Sequence, residues 1–508
     1  MKKLLMLSLL TGTILLSGCS KTNNEMEELS AQYSNNIVYY ELFVRSSFDS
    51  DGDGIGDFKG IEDNVSYFTD LGIEGIWFMP VNASNSYHGY DVYDYMDVHE
   101  DYGTMEEFKS MVKVLTNNNI KVMMDFVVNH SSNEHQWFID SQDPNSKYRD
   151  YYVYINGNPY NYFGSGMPDL NLGNDDVFNE IIEIGKYYID MGVGGFRLDA
   201  AKHFFQIEEN QLNATAAIAK SNDFIRRMRT EFQKYDEDFF IVSEVLDSNL
   251  MSSQFFKGGD SAFNFDLREK ILDVASGSGA DSYSNVVLNN YKQISQYNYD
   301  FIDSPFATNH DLDRISYELN QNSEFYDKQL KLIADMLLTL PGSPFIYYGD
   351  ELGQNGYRQE GTNLPGYGTV WDEYRRLPLK TGLESQTSWI TTNIDDNVDS
   401  YLVQKEDENS LYNHYKNMIN IRNTNKALKF GNDFQKTNLD FNFATSFIRT
   451  FEGQNLLIIH NPYQNKLDIS NLNLSNAIYK TNDTTNLSVD TFSTIIFELT
   501  EDELARLV

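Results

Sequence analysis

The sequence predicts an α/β protein: a parallel (β/α)₈ TIM barrel, with a small inserted domain after strand 3 and a C-terminal antiparallel β-sandwich. Three observations support this fold class. Short apolar segments alternate with amphipathic helical segments from Ile37 to about residue 430, a long aromatic segment interrupts this alternation, and a β-type pattern follows it. Strands that alternate with helices typically form a parallel sheet covered by those helices.

Eight segments have the length and apolar content of buried strands. Between them, the capping box Thr104-Met-Glu-Glu107 predicts a helix that ends near Asn118, and residues 177–191 and 326–340 have helical periodicity. The predicted strands are Val38–Val44, Gly75–Pro80, Lys121–Val127, Gly195–Leu198, Phe239–Ser243, Ala262–Phe265, Ile302–Thr308 and Phe345–Tyr348. We assign residues 37–430 to the barrel.

Two departures from a simple barrel define further domains. Residues 131–172 form a long, irregular, tyrosine-rich segment after the third strand, and loops of that length are usually functional or small domains. Residues 431–508 contain alternating strand patterns separated by Asn and Gly turns. We therefore expect an inserted domain (domain B) at 131–172 and a β-sandwich at 431–508.

The first residues predict export. Met1-Lys2-Lys3 precedes an apolar run, Leu4–Leu16, that is shorter than the roughly 20 residues of a membrane-spanning helix. The following Leu16-Ser17-Gly18-Cys19 resembles the cleavage box of bacterial lipoproteins. This resemblance implies a lipoprotein signal peptide at 1–19, a lipid on Cys19, and a secreted protein anchored at the outer face of a bacterial membrane. A plain signal peptide with an incidental cysteine is the alternative.

The rest of the composition limits the partners. Cys19 is the only cysteine, so an internal disulfide is excluded. Residues 20–36 are polar and predict a flexible tether. With 39 basic and 75 acidic residues the net charge is −36, which argues against nucleic acid, and against membrane contact other than through the lipid. We expect a monomer that acts on a neutral partner, such as a polysaccharide.

The stretch from Gly194 to His203 is the strongest candidate for a site. In a strand, Phe196 and Leu198 share one face while Arg197 and Asp199 share the other. The arginine favours the ionised form of the aspartate, and an ionised carboxylate can act as a nucleophile. An ordinary buried Arg–Asp pair is the alternative for this motif taken alone.

Two more acids follow predicted strands, as Asp199 does. Glu244 comes after the fifth strand and Asp311 after the seventh. Because active sites of parallel barrels lie at the carboxyl ends of the strands, we expect the three acids to share one site. Single acids at strand ends are usually solvated or capping groups, but three in such positions indicate function.

Five stretches, in order, resemble the motifs of the α-amylase superfamily (glycoside hydrolase family 13), and the resemblance runs from about Ile37 to the C-terminus. It implies a retaining hydrolase that cleaves α-1,4-glucosidic bonds of starch or maltodextrins. Asp199 would be the nucleophile, Glu244 the general acid and base, and Asp311 the carboxylate that stabilises the transition state. The stretches are Asp125-Phe-Val-Val-Asn-His130, Met167-Pro-Asp-Leu-Asn171, Gly195–His203, Ser243-Glu244-Val245 and Phe306-Ala-Thr-Asn-His-Asp311.

The same resemblance implies the substrate-binding residues. Three histidines would hydrogen-bond the attacked sugar, a tyrosine would stack beneath it, and Lys202 and His203 would line the leaving-group side. The arginine motif after the eighth strand is degraded, because its nearest match is Arg376-Leu-Pro-Leu without the usual Gln-Trp. The implied substrate-binding residues are His88, Tyr90, His130, Arg197, Lys202, His203, His310 and Arg376.

A second constellation, residues 49–57, predicts a calcium site. Carboxylates at alternate positions, with glycines that permit a tight turn, gather hard oxygen ligands around Ca²⁺. The twelfth position is Gly60 rather than glutamate, so the loop is not an EF-hand. The family resemblance implies a ligand set of Asp49, Asp51, Asp53, Asp57 and the carbonyl of Ile55, and a solvated acidic turn is the alternative.

Two other functions remain open at this point. An oligo-1,6-glucosidase, or a neopullulanase- or cyclomaltodextrinase-like hydrolase, would keep the chemistry and change the α-glucan substrate. A non-catalytic glycan-binding barrel is the alternative from another class, since fold alone does not determine function. The survival of all three acids argues against it.

Overall fold

The computed structural model describes residues 25–206, 214–359, 361–441 and 443–508. A seven-stranded parallel sheet forms its centre, in the order β6-β5-β4-β3-β2-β1-β7, so that every predicted barrel strand but one has a regular counterpart. The strands are β1 Tyr39–Leu42, β2 Gly75–Phe78, β3 Lys121–Phe126, β4 Val193–Leu198, β5 Phe240–Ser243, β6 Ser261–Ala262 and β7 Phe345–Tyr347.

The remaining barrel position is occupied by residues 302–308, which do not form the predicted regular strand. Parallel bridges from Phe263 to Ser304 and from Phe306 to Phe345 join this segment to its two neighbours and complete the barrel. Pro305 lies between the bridged residues, and proline has no N–H for a sheet ladder. The predicted strand at 262–265 is also shorter, because the Asn264 side chain caps a helix that begins at Phe265.

Helices cover the outside of the sheet, as the alternating pattern predicts. The predicted helix at Thr104 begins with a capping box and ends at Asn117. The helices are Phe58–Asp63, Val65–Leu71, Met105–Asn117, Gln136–Ser141, Asp175–Ile189, Ala214–Phe232, Asn249–Ser252, Phe265–Ala275, Ala280–Ile294, Ile315–Glu318, Tyr326–Thr339, Tyr401–Gln404, Leu411–Thr424, Lys426–Lys429 and Glu501–Leu507.

The barrel interior is filled by aromatic and aliphatic side chains. Tyr39 stacks on Phe345 with ring centroids 4.7 Å apart, and Trp77 packs on Phe263 at 5.2 Å. These residues belong to one buried cluster with Met123 and others. Because this apolar plug fills the barrel, charged groups of the strands collect at the carboxyl ends, where the loops begin.

The inserted segment lies over this end of the barrel. It contains the helix Gln136–Ser141 and a two-stranded hairpin, Tyr154–Ile155 with Asn158–Pro159. A bridge from His130 to Asp169 joins it to the segment that follows β3, and a bridge from Tyr152 to Leu170 joins two parts of the insert.

The C-terminal part is an antiparallel sheet in the order β8-β9-β10-β12-β11, with the short ribbon Leu467–Asp468 and Ser488–Val489 beside it. One face, with Phe447 and Ile458, joins the barrel core, and the other, with Ile448 and Leu457, forms a separate core. The second layer over the outer face is therefore the ribbon and the last helix rather than a full sheet. The strands are β8 Asp433–Lys436, β9 Thr445–Phe451, β10 Gln454–Asn461, β11 Ala477–Lys480 and β12 Ser493–Glu498.

The described part of the predicted tether is folded. Residues 25–32 are helical, Leu29 is buried, and the Tyr33 ring lies 5.7 Å from Phe430 and 5.6 Å from Phe451. The prediction of a flexible segment therefore does not hold for residues 25–36, because two apolar side chains in a polar stretch suffice to dock it. Cys19 and the predicted signal peptide lie outside the described residues. None of the helices in the described ranges has the length and hydropathy needed to cross a membrane.

Candidate active site

The three acids predicted from the sequence meet at the carboxyl end of the barrel. Asp199 follows β4, Glu244 follows β5, and Asp311 follows the segment 302–308 that occupies the seventh barrel position. All three line one cleft of about 420 Å³. The structure therefore brings the three acids into one site. They meet because the strands are parallel, so that the carboxyl ends of all of them lie at one end of the barrel.

Arg197 contacts three of the acids in and below this cleft. Its Nη1 donates to Asp199 Oδ1 at 2.8 Å and to Asp125 Oδ2 at 2.9 Å, and its Nη2 lies 2.9 Å from Glu244 Oε1. The guanidinium is buried and lies over the Trp77 ring at 5.2 Å. One cation therefore holds three carboxyl groups, two of which open into the cleft.

Burial determines the protonation of these acids more than we expected from the sequence. Burial raises the pKa of Asp199 above its ordinary value, and Arg197 opposes this shift without cancelling it. Burial likewise raises the pKa of Glu244, helped by Asp199 and Asp311, and raises the pKa of Asp125 to about 7. Neighbouring acids in one buried site titrate together, so the protonation of each acid depends on the charge of the others.

Asp311 has the opposite electrostatic environment. Burial would raise its pKa, but His310, whose Nε2 lies 3.1 Å from Oδ2, and Arg376, whose Nη2 lies 3.2 Å from Oδ1, hold that pKa well below its usual range. Burial would lower the pKa of His310, but Asp311 and Glu41 raise it to about 9. Asp311 is therefore an ionised carboxylate beside two acids that tend to protonate.

Tyr90 forms the floor between these groups. Its hydroxyl donates to Asp125 Oδ2 at 3.0 Å and lies 2.6 Å from His310 Nε2, and its ring stacks on His310. The ring also lines the cleft. An aromatic face anchored at its hydroxyl is a suitable surface for the apolar face of a sugar ring.

His88 and His130 also line the cleft, and burial lowers the pKa of each to about 4. Both rings are therefore neutral at pH 7. His88 Nδ1 accepts from the Tyr90 N–H at 3.1 Å, which leaves Nε2 as the protonated nitrogen. His130 Nε2 lies 3.1 Å from the Tyr90 carbonyl oxygen and donates to it, so this ring is held against the backbone of Tyr90.

Lys202 and His203 lie on the loop after β4, on the same side as Glu244. Lys202 Nζ pairs with Asp247 Oδ2 at 2.7 Å, and His203 stacks on Tyr162 of the inserted segment with centroids 4.4 Å apart. Between them and Asp199, Ala200 adopts a left-handed φ of 50° and its N–H donates to Glu244 Oε2 at 2.9 Å. This turn ties the two acids together through the backbone as well as through Arg197.

Arg376 occupies the predicted position although its motif is degraded. Besides Asp311, it contacts Asp372 Oδ2 at 2.6 Å, and its Nη1 donates to the Tyr87 hydroxyl at 3.2 Å. Asp372 lines the cleft and was missed by sequence reasoning, since no motif surrounds it.

Two more buried acids were missed as site residues. Asp125 begins one of the motifs quoted above, and Glu41 is a charged residue within the apolar run of the first strand. These two sequence features could have identified both acids as candidate site residues. Glu41 Oε1 lies 2.5 Å from His310 Nδ1. Neither acid lines the cleft. Asp125 contacts Arg197 and Glu41 contacts His310, and these two cations in turn contact the acids of the cleft.

The predicted calcium loop is assembled in part. Carboxylate oxygens of Asp49, Asp51 and Asp57 all lie within 4.8 Å of one another, which is a plausible hard-oxygen donor set for Ca²⁺. Asp53 does not belong to this group, and its Oδ1 accepts the Ile55 N–H at 2.7 Å within the turn. Asp57 also caps the helix Phe58–Asp63.

A barrel of this form, with an arginine-bridged carboxyl pair and a third acid in one cleft, defines a class of protein, the barrel glycoside hydrolases. The chain belongs to the α-amylase family, because the family model "Alpha amylase, catalytic domain" matches residues 41–431. The protein is therefore a glycoside hydrolase of the α-amylase type.

Individual relatives agree with this family. "Alpha-amylase 3" of Dictyoglomus thermophilum is 35% identical over 448 residues, 84% of each chain. A "4-alpha-glucanotransferase" of Thermotoga maritima is 31% identical over 70% of this chain and 79% of its own, and an "Oligo-1,6-glucosidase" of Parageobacillus thermoglucosidasius is 26% identical over 87% and 92%. Among solved structures, an α-amylase from H. orenii superposes with a TM-score of 0.80 and 32% identity, covering 92% of this chain and 100% of that one.

Proposed function

We propose that this enzyme hydrolyses internal α-1,4-glucosidic bonds of starch and maltodextrins by double displacement, with retention of the anomeric configuration. The observation that carries the proposal is the pairing of Asp199 and Glu244 on the single guanidinium of Arg197. Retaining enzymes hold their two carboxyl groups about 5–5.5 Å apart, and inverting enzymes about 6.5–9.5 Å. Two carboxyl groups on one guanidinium favour the closer spacing.

In the first step, Asp199 attacks the anomeric carbon while Glu244 protonates the departing oxygen. Burial raises the pKa of Glu244, which supports its role as the acid near neutral pH. The attack requires the ionised carboxylate of Asp199, and the Arg197 guanidinium favours that form. Arg197 holds the nucleophile in place through the hydrogen bond to Oδ1.

Asp311 stabilises the positive charge of the oxocarbenium-like transition state. Its pKa is held low by His310 and Arg376, so it carries a full negative charge when the transition state forms. The Nε2–H of His88 and the ring of Tyr90 bind the attacked sugar from the same side of the cleft. In the second step, Glu244 takes a proton from water, the water oxygen bonds to the anomeric carbon, and the bond from that carbon to the Asp199 oxygen breaks.

The direct test is proton NMR of the first product released from a maltooligosaccharide. We expect the α-anomer to form first and then to mutarotate. Initial release of the β-anomer would contradict the double displacement, and absence of cleavage with Asp199 intact would contradict the hydrolase proposal as a whole.

An oligo-1,6-glucosidase is the second candidate, and a neopullulanase- or cyclomaltodextrinase-like specificity belongs to the same group. The similarity to the "Oligo-1,6-glucosidase" supports it, but the 35% identity to "Alpha-amylase 3" favours the α-1,4 activity. Product profiles on amylose, pullulan and isomaltose separate these substrates: the primary proposal predicts cleavage of amylose and no attack on isomaltose.

A bound Ca²⁺ at Asp49, Asp51 and Asp57 is part of the same proposal. Three close carboxylates repel one another without a cation, and a divalent ion would neutralise them and stabilise the loop after β1. An increase in the melting temperature on adding Ca²⁺, lost in Asp51→Asn, is the expected result. An equal shift in the variant would contradict the assignment.

We further propose that the protein is exported, carries a lipid on Cys19, and works as a monomer at the outer face of a bacterial membrane. The lipoprotein-like box at Leu16–Cys19 supports the anchor. Radiolabelled palmitate should be incorporated by expressing cells into the wild type and not into Cys19→Ser, and labelling of both would contradict the anchor.

A further inference from the structure

The docked N-terminal segment, residues 25–36, ends at the amino end of the barrel strands, opposite to the cleft. Asn35 Oδ1 accepts from Lys121 Nζ at 2.6 Å, and its Nδ2 donates to the Asp238 carbonyl oxygen at 3.1 Å. The backbone carbonyl oxygen of Asn35 accepts from the Ser343 hydroxyl. These three partners lie at or just before the starts of β3, β5 and β7. The segment is therefore fixed where the strands begin.

The other end of the segment lies at the same end of the barrel. Glu25 Oε1 pairs with Lys426 Nζ at 2.6 Å, just after the helix Leu411–Thr424 ends. The end of that helix is located by Asn423, whose Nδ2 donates to the Gly72 carbonyl oxygen at 3.5 Å, and Gly72 lies three residues before β2. Glu25 is thus on the opposite side of the barrel from the catalytic acids, which follow the strands.

Chain length determines what this placement means for a protein with a lipid on Cys19. Six Cα-to-Cα steps separate Cys19 from Glu25, and they reach at most about 22 Å when fully extended. A compact chain of 508 residues has a radius of gyration of about 23 Å, so the protein is roughly 60 Å across. Because the connection is much shorter than the protein, the lipid stays on the side of the barrel where Glu25 is docked.

We propose that the amino end of the barrel faces the membrane and that the cleft opens away from it, toward the medium. The inference rests on the lipid at Cys19 proposed above and is independent of the chemistry in the cleft. Its consequence for the enzyme is access, since a polysaccharide enters the cleft without passing between protein and lipid.

The surface around Glu25 is suited to a tethered position rather than to adhesion. One shallow depression of about 590 Å³ lies beside the start of the segment, and its charged lining residues are mostly acidic. Acidic groups repel the anionic lipids of a bacterial surface, so the lipid anchor alone holds this side at the membrane. The charged residues of this depression are Glu25, Glu27, Lys426, Glu452 and Glu498.

The experiment measures energy transfer from a dye on the protein to an acceptor lipid. Because Cys19 is the sole cysteine and its sulfur would carry the lipid, an added surface cysteine is the sole free thiol of the lipidated chain. Thr424→Cys places fluorescein in the depression beside Glu25, and Leu246→Cys places it on a loop that lines the cleft, where Leu246 is 63% exposed.

The lipidated proteins are bound to phosphatidylcholine vesicles that contain a rhodamine-labelled lipid. We expect the larger loss of donor fluorescence for the dye in Thr424→Cys, because that position is the nearer to the membrane. Equal losses at the two positions, or a larger loss in Leu246→Cys, would overturn the orientation.

A second pair of proteins tests whether docking sets the orientation. Leu29→Ala combined with Tyr33→Ala removes the apolar side chains that dock the segment. The chain from Cys19 to Ile37 then has eighteen free steps and reaches at most about 65 Å, which is comparable with the size of the protein. The difference between the two dye positions should shrink in this background, and an unchanged difference would overturn the role of docking.

Flotation with the vesicles separates this inference from the proposals on which it draws. The wild type should float with the vesicles and Cys19→Ser should not. A wild type that does not float would contradict the lipid anchor and the orientation together. Release of reducing sugar from starch by that same sample would leave the proposed hydrolase activity standing.

Discussion

At the scale of single residues, the site depends on how one arginine and one histidine are shared among acids. Arg197 contacts Asp125, Asp199 and Glu244, while His310 contacts Glu41 and Asp311. Charges buried in this way are costly unless they are paired, so each cation and its acids form one unit. Burial raises the pKa of Glu244 although Arg197 opposes it, whereas His310 and Arg376 hold the pKa of Asp311 low although burial opposes them.

The role of Glu244 as the acid predicts a dependence on the leaving group. Glu244→Gln removes the proton donor, so cleavage of maltopentaose should fall by at least about a hundredfold. Fluoride leaves without a proton, so formation of the glycosyl-enzyme from α-maltosyl fluoride should change far less. Pre-steady-state fluoride release measures this step, and an equal loss on both donors would contradict the assignment.

The pH dependence of wild-type kcat/KM checks the same group. Glu244 must be protonated in the free enzyme, and its pKa is raised, so activity should decline on the alkaline side as pH rises through that pKa. In Glu244→Gln with the fluoride donor, this alkaline decline should be absent. Its persistence would assign the decline to another group.

His310 and Glu41 make a second prediction, about stability. The folded-state pKa of His310 is about 9, above its ordinary value of 6.5, so its pairing stabilises the fold fully below pH 6.5. That stabilisation is lost as pH rises through about 9. Glu41→Gln should lower the free energy of unfolding by about 3 kcal/mol at pH 6 and reduce the loss between pH 6.5 and 9.

The control for this prediction is a surface pair. Glu106→Gln breaks an exposed contact with Lys109 and should change the free energy of unfolding by less than about 1 kcal/mol. Urea unfolding at pH 6 and pH 9 provides the four comparisons. An unchanged pH dependence in Glu41→Gln would show that Glu41 does not set the charge of His310.

At the scale of elements, the strands could be predicted because buried parallel strands are short apolar runs. The location of the site could be predicted because active sites of parallel barrels lie at the carboxyl ends of the strands. The seventh barrel strand was predicted as regular because periodicity takes no account of the missing N–H of Pro305. Asp372 could not be predicted, since its contact with Arg376 depends on how the chain turns after the hairpin Thr362–Leu364 with Gly368–Val370. The contact between Arg376 and Asp311 likewise joins residues 65 positions apart.

The helix Phe58–Asp63, which follows the acidic loop 49–57, packs tightly against Phe48, which gives an element-scale prediction. A Cβ at Gly60, inside the helix Phe58–Asp63, would lie 2.1 Å from the Phe48 carbonyl oxygen. Alanine favours helices, yet Gly60→Ala should destabilise the protein by about 3 kcal/mol because the backbone must move. Gly52→Ala is the control: its φ is +84° with nothing within 4 Å of the added carbon, so strain of about 1 kcal/mol is expected.

Denaturant unfolding of the two glycine variants measures the difference. A Gly60→Ala variant as stable as the wild type would contradict the close approach of the helix to Phe48. A Gly52→Ala variant that is the less stable of the two would show that turn strain outweighs packing in this loop.

At the scale of the whole molecule, three parts pack on the barrel: the inserted segment, the C-terminal sheet and the N-terminal helix. The C-terminal sheet is joined to the barrel core through Phe447 and Ile458, and Arg449 donates to the carbonyl oxygens of Thr339 and Leu428. The sheet could be predicted from its alternating pattern. The packing of residues 25–36 could not, because two docking side chains are too few to give a periodic signal.

Docking of the N-terminal segment predicts that Tyr33 stabilises the fold. Tyr33→Ala removes contacts with Phe430 and Phe451 and should lower the free energy of unfolding by about 2 kcal/mol. Tyr299→Ala removes a side chain that is 85% exposed and should change it by less than about 0.5 kcal/mol. Equal stability of the two variants would mean that residues 25–36 do not stabilise the barrel.

The central claim is that Asp199 forms a covalent bond to the sugar. The most direct measurement is mass spectrometry of the enzyme after reaction with a 5-fluoro-α-glycosyl fluoride, which slows the second step, followed by peptide mapping. We predict one added glycosyl unit, on the peptide at Asp199, and none in Asp199→Asn. An adduct on another residue, or turnover to a β-product without any adduct, would contradict it.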